Sequence, residues 1–477
     1  MSHFDLVIIG TGSGNTIVNR QFADWSVAIV ESGPFGGTCL NVGCIPTKMY
    51  VYPSDVVTAA ADADRLGVSL ALEKVDWPGM RDRIFGRIDG NAAHAQAARE
   101  SEVWPNVSVL TGTGRFVDDK RLAVTAPDGS VQEITADRFV IAAGGRPVIP
   151  DVPGLDEGSI GRNGIHTSDT VMRIDELPRR IVVVGGGYIA AEFAHVFSAL
   201  GSTVIQLVRG DRLLRSHDDE VAAAYTEVAA GKYDLRRNTE LCGVGPTADG
   251  NGVAVSVEGP YGEETIPADV VLLATGRQPN SDLLDVRATG VAVGDDGLVQ
   301  VDDQQRTSVD GIWALGDICS PWQLKHVANH EAKVVRHNLL HPDEPIASDH
   351  RFVPAAVFTD PQIASVGLTE QDAIARGVTY AVGRRDYGDT AAGWAREDHT
   401  GFVKVLVDPE TGLLLGAHAI GPEAATVIQP LIQAMSFGQT ADQVARGQYW
   451  IHPALPEVVE NALLEAARNS RRSARRA

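Results

Sequence analysis

Two cysteines five residues apart sit in the stretch Gly36-Gly37-Thr38-Cys39-Leu40-Asn41-Val42-Gly43-Cys44-Ile45-Pro46-Thr47-Lys48. Five residues of α-helix rise about 7.5 Å, further than the roughly 7 Å between Cα atoms that a disulfide tolerates. A bond between Cys39 and Cys44 therefore requires the backbone to leave helical geometry, and Val42-Gly43 is where that break is expected. Such a bond would be open to exchange and poised for reduction, as in a working redox pair. A static cross-link or two separate thiols fit the same spacing. Lys48 follows on a helix expected from about Pro46. Near the other end, Tyr449-Trp450-Ile451-His452-Pro453-Ala454-Leu455-Pro456-Glu457 places His452 five residues before Glu457. That spacing suits an imidazole held in one tautomer by a carboxylate.

Two glycine-rich turns supply the scaffold these groups need. The apolar run Leu6–Ile9 reads as a buried parallel strand. It feeds Gly10-Thr11-Gly12-Ser13-Gly14-Asn15, then a helix expected to about Ala23, then a strand over Val27–Val30 that ends at Glu31. This is the dinucleotide fingerprint in its strand-turn-helix-strand context. Gly10 permits the tight turn, Gly12 lets a pyrophosphate approach at a helix N-terminus, and Glu31 can accept from a ribose diol. Asn15 stands where the pattern has its third glycine, a position that serves helix–strand packing. A second unit follows Ile181–Val184: Gly185-Gly186-Gly187-Tyr188-Ile189-Ala190-Ala191-Glu192. Its second strand ends in Arg209, with Arg215 six residues on. Arginine pairs with the 2′-phosphate of NADP where an acid would pair with the 2′-hydroxyl of NAD. Two fingerprints imply two dinucleotides, and NADPH is expected at the second.

The chain of 477 residues has room for about three domains. A net charge of −21 argues against nucleic acid as a partner. Arg468, Arg471, Arg472, Arg475 and Arg476 crowd the last ten positions and read as a frayed, solvated end. Four cysteines in so long a chain suit a reducing compartment, where a disulfide is usually catalytic. Cys242 and Cys319 are expected to be packing residues. A strand from Phe4 leaves no room for a signal peptide, and no apolar run reaches about 18 residues; a cytoplasmic protein without a membrane span is expected. Residues 52–100 read as helical with a break near Trp77-Pro78, followed by short strands around Val107–Leu110 and Leu122–Val124. His326, His330 and His337 surround Glu331 without meeting the zinc motif, so no metal is expected.

The segment Gly36–Lys48 closely resembles the redox-active segment of the flavin-dependent disulfide reductases, the group that contains glutathione reductase and lipoamide dehydrogenase, and the resemblance runs from Asp5 to about Leu464. It implies an α/β fold with two Rossmann-like domains, for FAD and NADPH, and an α+β dimerisation domain. The implied boundaries are 1–150 and 277–347 for FAD, 151–276 for NADPH, 348–465 for the interface, and 466–477 as a flexible arginine-rich tail. Cys39 would exchange with a small-molecule disulfide, while Cys44 would lie against the flavin as a thiolate. Lys48 would sit beside the flavin and pair with Glu192. FAD would be held by Gly10, Gly12, Ser13, Gly14, Glu31, Thr38 and Lys48, by Ala143-Gly144 of the hinge Val140–Pro147, and by Asp317 of Ala314-Leu315-Gly316-Asp317. Gly114 either passes the adenine ring or is a simple turn glycine. NADPH would be held by Gly185, Gly187, Ile189, Glu192, Arg209 and Arg215, with Tyr188 as a gate and Gly276 of Ala274-Thr275-Gly276-Arg277 at the return to the FAD domain. His452 would reach the cysteine pair of a second copy and act as acid/base, so each active site needs a homodimer. No cysteine follows Cys319, so a second redox pair near the C-terminus is absent.

Overall fold

The computed structural model describes residues 2–474. Apolar runs of the first segment form a seven-stranded sheet. Ser2–Ile9 lies between Val27–Glu31 and Val131–Ile141, parallel to both, with Val107–Thr111 and Ile312–Ala314 extending the parallel part. Arg121–Thr125 and Thr113–Asp118 complete it in antiparallel register. The second segment builds a parallel five-stranded sheet in the order Asp234–Arg237, Thr203–Val208, Arg180–Val184, Val270–Leu273 and Ile165–Thr167. The third builds an antiparallel five-stranded sheet from Pro354–Val357 to Ala381–Asp386. The helix Glu457–Ala474 packs so closely on that sheet that a Cβ on Gly383 would collide with the Ala462 carbonyl. Gly145–Pro147 and Arg277–Pro279 pair antiparallel where the chain leaves the first sheet and returns to it.

Several expectations need correcting. No continuous helix follows the first fingerprint. Two short 3-10 turns, Gly14–Thr16 and Arg20–Phe22, stand in its place. Asn19 is extended between them and its side chain caps the second turn at Gln21 N, so the backbone donors are satisfied without a helix. Arg99 reaches across to the carbonyls of Asn15 and Val18 and to Asn15 Oδ1. Close packing here falls to Gly14, whose Cβ would come within 2.8 Å of the Ala142 methyl. The helix carrying Lys48 begins at Cys44 rather than Pro46. Trp77 and Pro78 open the helix Trp77–Arg99 rather than interrupting one. Cys242 is exposed, because the strand register shifts around it between Leu241 and Gly243, whereas Cys319 is buried. The last helix passes the expected boundary at 465, with Ala466, Ala467 and Ser470 buried. Arg475 and Arg476 lie outside the described residues, as does the side chain of Arg472. No helix among the described residues is long and apolar enough to cross a membrane.

The segments are joined by buried contacts. Trp77 stacks between Tyr50 and Phe197, at 4.7 and 5.6 Å, tying the first segment to the helix Tyr188–Ala199. Lys404, 1% exposed, reaches Asp218, Glu220 and Glu370 at 3.1, 2.7 and 2.5 Å, joining the second segment to the third. Burial alone would push its pKa down, but the three carboxylates outweigh burial and hold it up. Removing one partner of a buried cluster strands the other charges. Lys404→Ala is therefore expected to cost about 3–5 kcal/mol at neutral pH, read from denaturation midpoints. Asp218 is buried and its pKa is depressed despite that burial, with His418 and Lys404 among the causes. Its contribution is present above the unfolded value of about 4 and is lost as pH falls through the folded value, so the gap between wild type and variant should narrow in acid.

Candidate active site

Cys39 lies on the short helix Gly37–Asn41 and Cys44 opens the helix Cys44–Ala61. Between them Val42 (φ −144°, ψ 14°) and Gly43 (φ −132°, ψ −121°) leave helical geometry, which turns the two side chains toward each other. Both are thiols in the structure. The closeness of the two thiols splits their acidities. It lowers Cys44 to about 7, against burial and with help from the charge of Lys48. The same contact, together with burial, raises Cys39. Of the pair, Cys44 is the more readily ionised in an isolated chain.

Lys48 Nζ lies 2.5 Å from Glu192 Oε2 and 4.4 Å from the centroid of the Phe358 ring. Glu192 Oε1 accepts the Phe358 N–H at 2.9 Å. One buried carboxylate thus meets all three segments, and its charge and that of Lys48 both act on Cys44. Tyr188 begins the same helix as Glu192, and burial pushes its hydroxyl up to about 12. The structure also brings in two residues that carry no role in the sequence motifs. Arg277 donates to the Gly145 carbonyl at 2.6 Å and sits 3.4 Å from Asp169, and its charge bears on Tyr188 and Asp317. Lys325 donates to Ser13 Oγ at 2.9 Å. Only the position of Arg277 in the returning Ala-Thr-Gly-Arg turn hinted at its place.

The glycine turns fit dinucleotides. Gly10 (φ +101°) and Gly185 (φ +140°) take conformations that disfavour a side chain, and a Cβ on either would collide with a carbonyl, of Ala142 or Ala274. In contrast, a Cβ on Gly187 would meet nothing within 4 Å, and one on Gly12 only Gly37 Cα at 3.9 Å. These are open cradles beside the backbone, of the kind a phosphate enters. Gly187 caps the helix Tyr188–Ala199 without a side-chain acceptor, so the first-turn N–H groups remain for an anion. Glu31 is fixed by accepting from Thr11 N, Thr11 Oγ1 and Gly33 N at 2.8, 2.6 and 2.9 Å. Asp317 has a pKa raised by burial. Asn280 Nδ2 and N donate to the carbonyls of Ala143 and Gly144 at 2.8 and 3.1 Å. Gly114 lies on a strand rather than in a turn, with Leu122 against it. Thr38 accepts the Val42 N–H, half-buried Ile189 follows Tyr188, and Gly276 takes φ +125° at the return. Arg209 and Arg215 are both exposed beyond the strand Thr203–Val208, and Arg215 folds over Gly210.

His452 is 70% exposed and its Nδ1 lies 2.8 Å from Glu457 Oε1. Glu457 Oε2 accepts the Ala454 N–H at 3.2 Å. Among the described residues nothing else bonds His452, and the structure does not bring it to the cysteines of its own chain. Tyr449 and Ile451 beside it are also exposed. No group of three or more acidic, cysteine or histidine side chains among the described residues could hold a metal ion.

Comparison with known proteins places these features in a family. Residues 4–332 match the family model "Pyridine nucleotide-disulphide oxidoreductase" and residues 353–463 match its dimerisation domain. Mycothione reductase of Mycobacterium tuberculosis is 52% identical over 97% of this chain and 99% of its own length. A dihydrolipoyl dehydrogenase of Haloferax volcanii is 34% identical over 98% of this chain and 96% of its own length. Among solved structures, the Cu(II) complex of the HOCl-induced flavoprotein disulfide reductase RclA from Escherichia coli superposes with a TM-score of 0.84. It is 27% identical, covering 97% of this chain and 99% of that one. The chain belongs to the flavin-dependent pyridine nucleotide-disulphide oxidoreductases.

Proposed function

We propose that this enzyme is an NADPH-dependent, FAD-containing reductase of mycothione, the disulfide of mycothiol, and serves thiol redox homeostasis in the cytoplasm as a homodimer. The similarity to a mycothione reductase over almost the whole of both chains carries the choice of substrate. Disulfide chemistry rests on the facing Cys39 and Cys44 above the Lys48–Glu192 pair. Arg209 and Arg215, exposed at the end of the second fingerprint's strand, favour NADPH over NADH. Mycothiol carries a neutral sugar unit, so no arginine is needed for substrate carboxylates. Arg20, exposed in its 3-10 turn, has no assigned role.

FAD, held by the first fingerprint, Thr38, Lys48 and Asp317, supplies the two-electron relay between nicotinamide and the cysteine pair. Once Cys39 and Cys44 are reduced, Cys39 must become the attacking thiolate, although the contact with Cys44 makes it the harder of the two to ionise. The imidazole of His452 of the partner subunit, oriented by a carboxylate at Nδ1, takes that proton. Cys39 sulfur then attacks one sulfur of the substrate, forming a mixed disulfide and releasing the first thiolate, which recovers the proton from the imidazolium. Cys44 thiolate next attacks Cys39 sulfur, expelling the second thiolate, which takes a proton from solvent, and restoring the Cys39–Cys44 bond. A thiolate is the nucleophile in both exchanges.

The first test is NADPH oxidation with mycothiol disulfide and glutathione disulfide side by side, with strong preference for the former expected; turnover of glutathione disulfide alone would overturn the substrate. Cys39→Ser should abolish turnover. His452→Ala should slow it by about 10²–10⁴, and both variants should still accept hydride from NADPH. Arg209→Ala with Arg215→Ala should raise KM for NADPH at least about tenfold, the size of lost charge-assisted hydrogen bonds, and leave KM for NADH unchanged. The charge-transfer absorption of the reduced enzyme should fade as pH falls through about 7, because protonation removes the Cys44 thiolate. The apparent value belongs to the coupled pair, and Lys48→Met should move it upward.

A further inference from the structure

A dinucleotide fingerprint normally aims the N-terminus of a helix at the pyrophosphate, so that aligned peptide dipoles meet its negative charge. The second fingerprint does this through the twelve residues Tyr188–Ala199. At the first, the chain makes only the turn Gly14–Thr16 before Asn19 extends at φ −133°, ψ −172°. Three residues of 3-10 turn align few dipoles. Residues 10–19 contain no lysine or arginine, and Arg20 points into solvent. A pyrophosphate diester carries two negative charges, so this turn lacks both usual sources of compensation.

Lys325 stands where that compensation is missing. It is the first residue of the helix Lys325–Leu340, and its Nζ donates to Ser13 Oγ at 2.9 Å. Ser13 Oγ in turn donates to Asn329 Oδ1 at 2.9 Å, one turn along the same helix. Ser13 is buried inside the fingerprint turn, so a half-buried ammonium is tied to the wall of the cradle with two of its three N–H groups to spare. Gly12, the open position of that cradle, lies against Gly37, two residues before Cys39. The field of Lys325 reaches both Cys39 and Asp317, where it opposes the rise in pKa that burial gives each.

We propose that Lys325 is a further cofactor-binding residue, whose ammonium group neutralises the FAD pyrophosphate in the Gly10–Asn15 turn and replaces the charge that the interrupted helix does not provide. This rests on the reading that the first fingerprint holds FAD. The test is the rate at which purified holoenzyme, diluted at low and high salt, releases FAD, followed by the rise in flavin fluorescence. Lys325→Met should release FAD about tenfold faster or more, the size of one charge-assisted hydrogen bond. It should also lose most of the salt dependence shown by wild type, since screening acts on the charge. Lys325→Arg should stay within about threefold of wild type on the same argument. Ser13→Ala, which removes the brace and keeps the charge, should retain the salt dependence. A Lys325→Met enzyme with the wild-type rate, or with faster release but wild-type salt dependence, overturns the proposal and leaves Lys325 a structural brace. Gly12→Ala puts a methyl group in the cradle with no contact closer than 3.9 Å. If that variant holds FAD as wild type does, the reading of the first fingerprint fails, and the proposal with it. If it loses FAD while Lys325→Met does not, only the proposal fails.

Discussion

A carboxylate buried to 5% exposure has to be paired, and Glu192 is paired by two segments that are not its own. Lys48 comes from the helix that Cys44 opens, and the Phe358 N–H comes from the residue just after the strand Pro354–Val357 of the third segment. Moving either one away would leave a charge in a dry site, which costs several kcal/mol. This single junction therefore fixes the redox helix, the helix of the second fingerprint and the interface domain relative to one another. The ammonium it holds is the same one whose field favours the Cys44 thiolate, so the constraint that aligns the domains also prepares the thiol chemistry.

The two dinucleotide turns show how one requirement is met by different means. Both place glycine where a Cβ would strike a carbonyl, and both leave one glycine facing open space. Beyond the turn they diverge. The second relies on an uninterrupted helix with an uncapped first turn, while the first distributes the work. Gly14 gives close packing, Arg99 satisfies the carbonyls of Asn15 and Val18, and Lys325 with Asn329 holds Ser13 from a helix more than 300 residues away.

What the sequence made legible follows the same division between local and distant physics. The break at Val42-Gly43 was derivable from helix rise and disulfide reach, because both act within six residues. The approach of Lys48 to Glu192 spans 144 residues and could be expected only through resemblance to a family. The glycine pattern points to a helix after Gly14, but Asn19 offers the backbone its own bonds and ends it. At the C-terminus the crowded arginines mask a helical period: Ala462, Leu463, Ala466, Ala467 and Ser470 recur on one buried face. Lys325 carried no local signal, since its meaning depends on what the fingerprint 312 residues earlier lacks.

The two short strands Gly145–Pro147 and Arg277–Pro279 run side by side in opposite directions. The residues between them enter and leave through one narrow doorway, so this unit is a cassette whose ends already touch. A cassette of that kind can be exchanged or altered without re-threading the sheet that carries the cysteine pair, because neither end has to move. Arg209 and Arg215 follow the strand Thr203–Val208, inside this cassette. On the proposed reading, the choice of nicotinamide coenzyme lies inside the cassette and the cysteine pair outside it, in parts of the chain free to evolve at different rates.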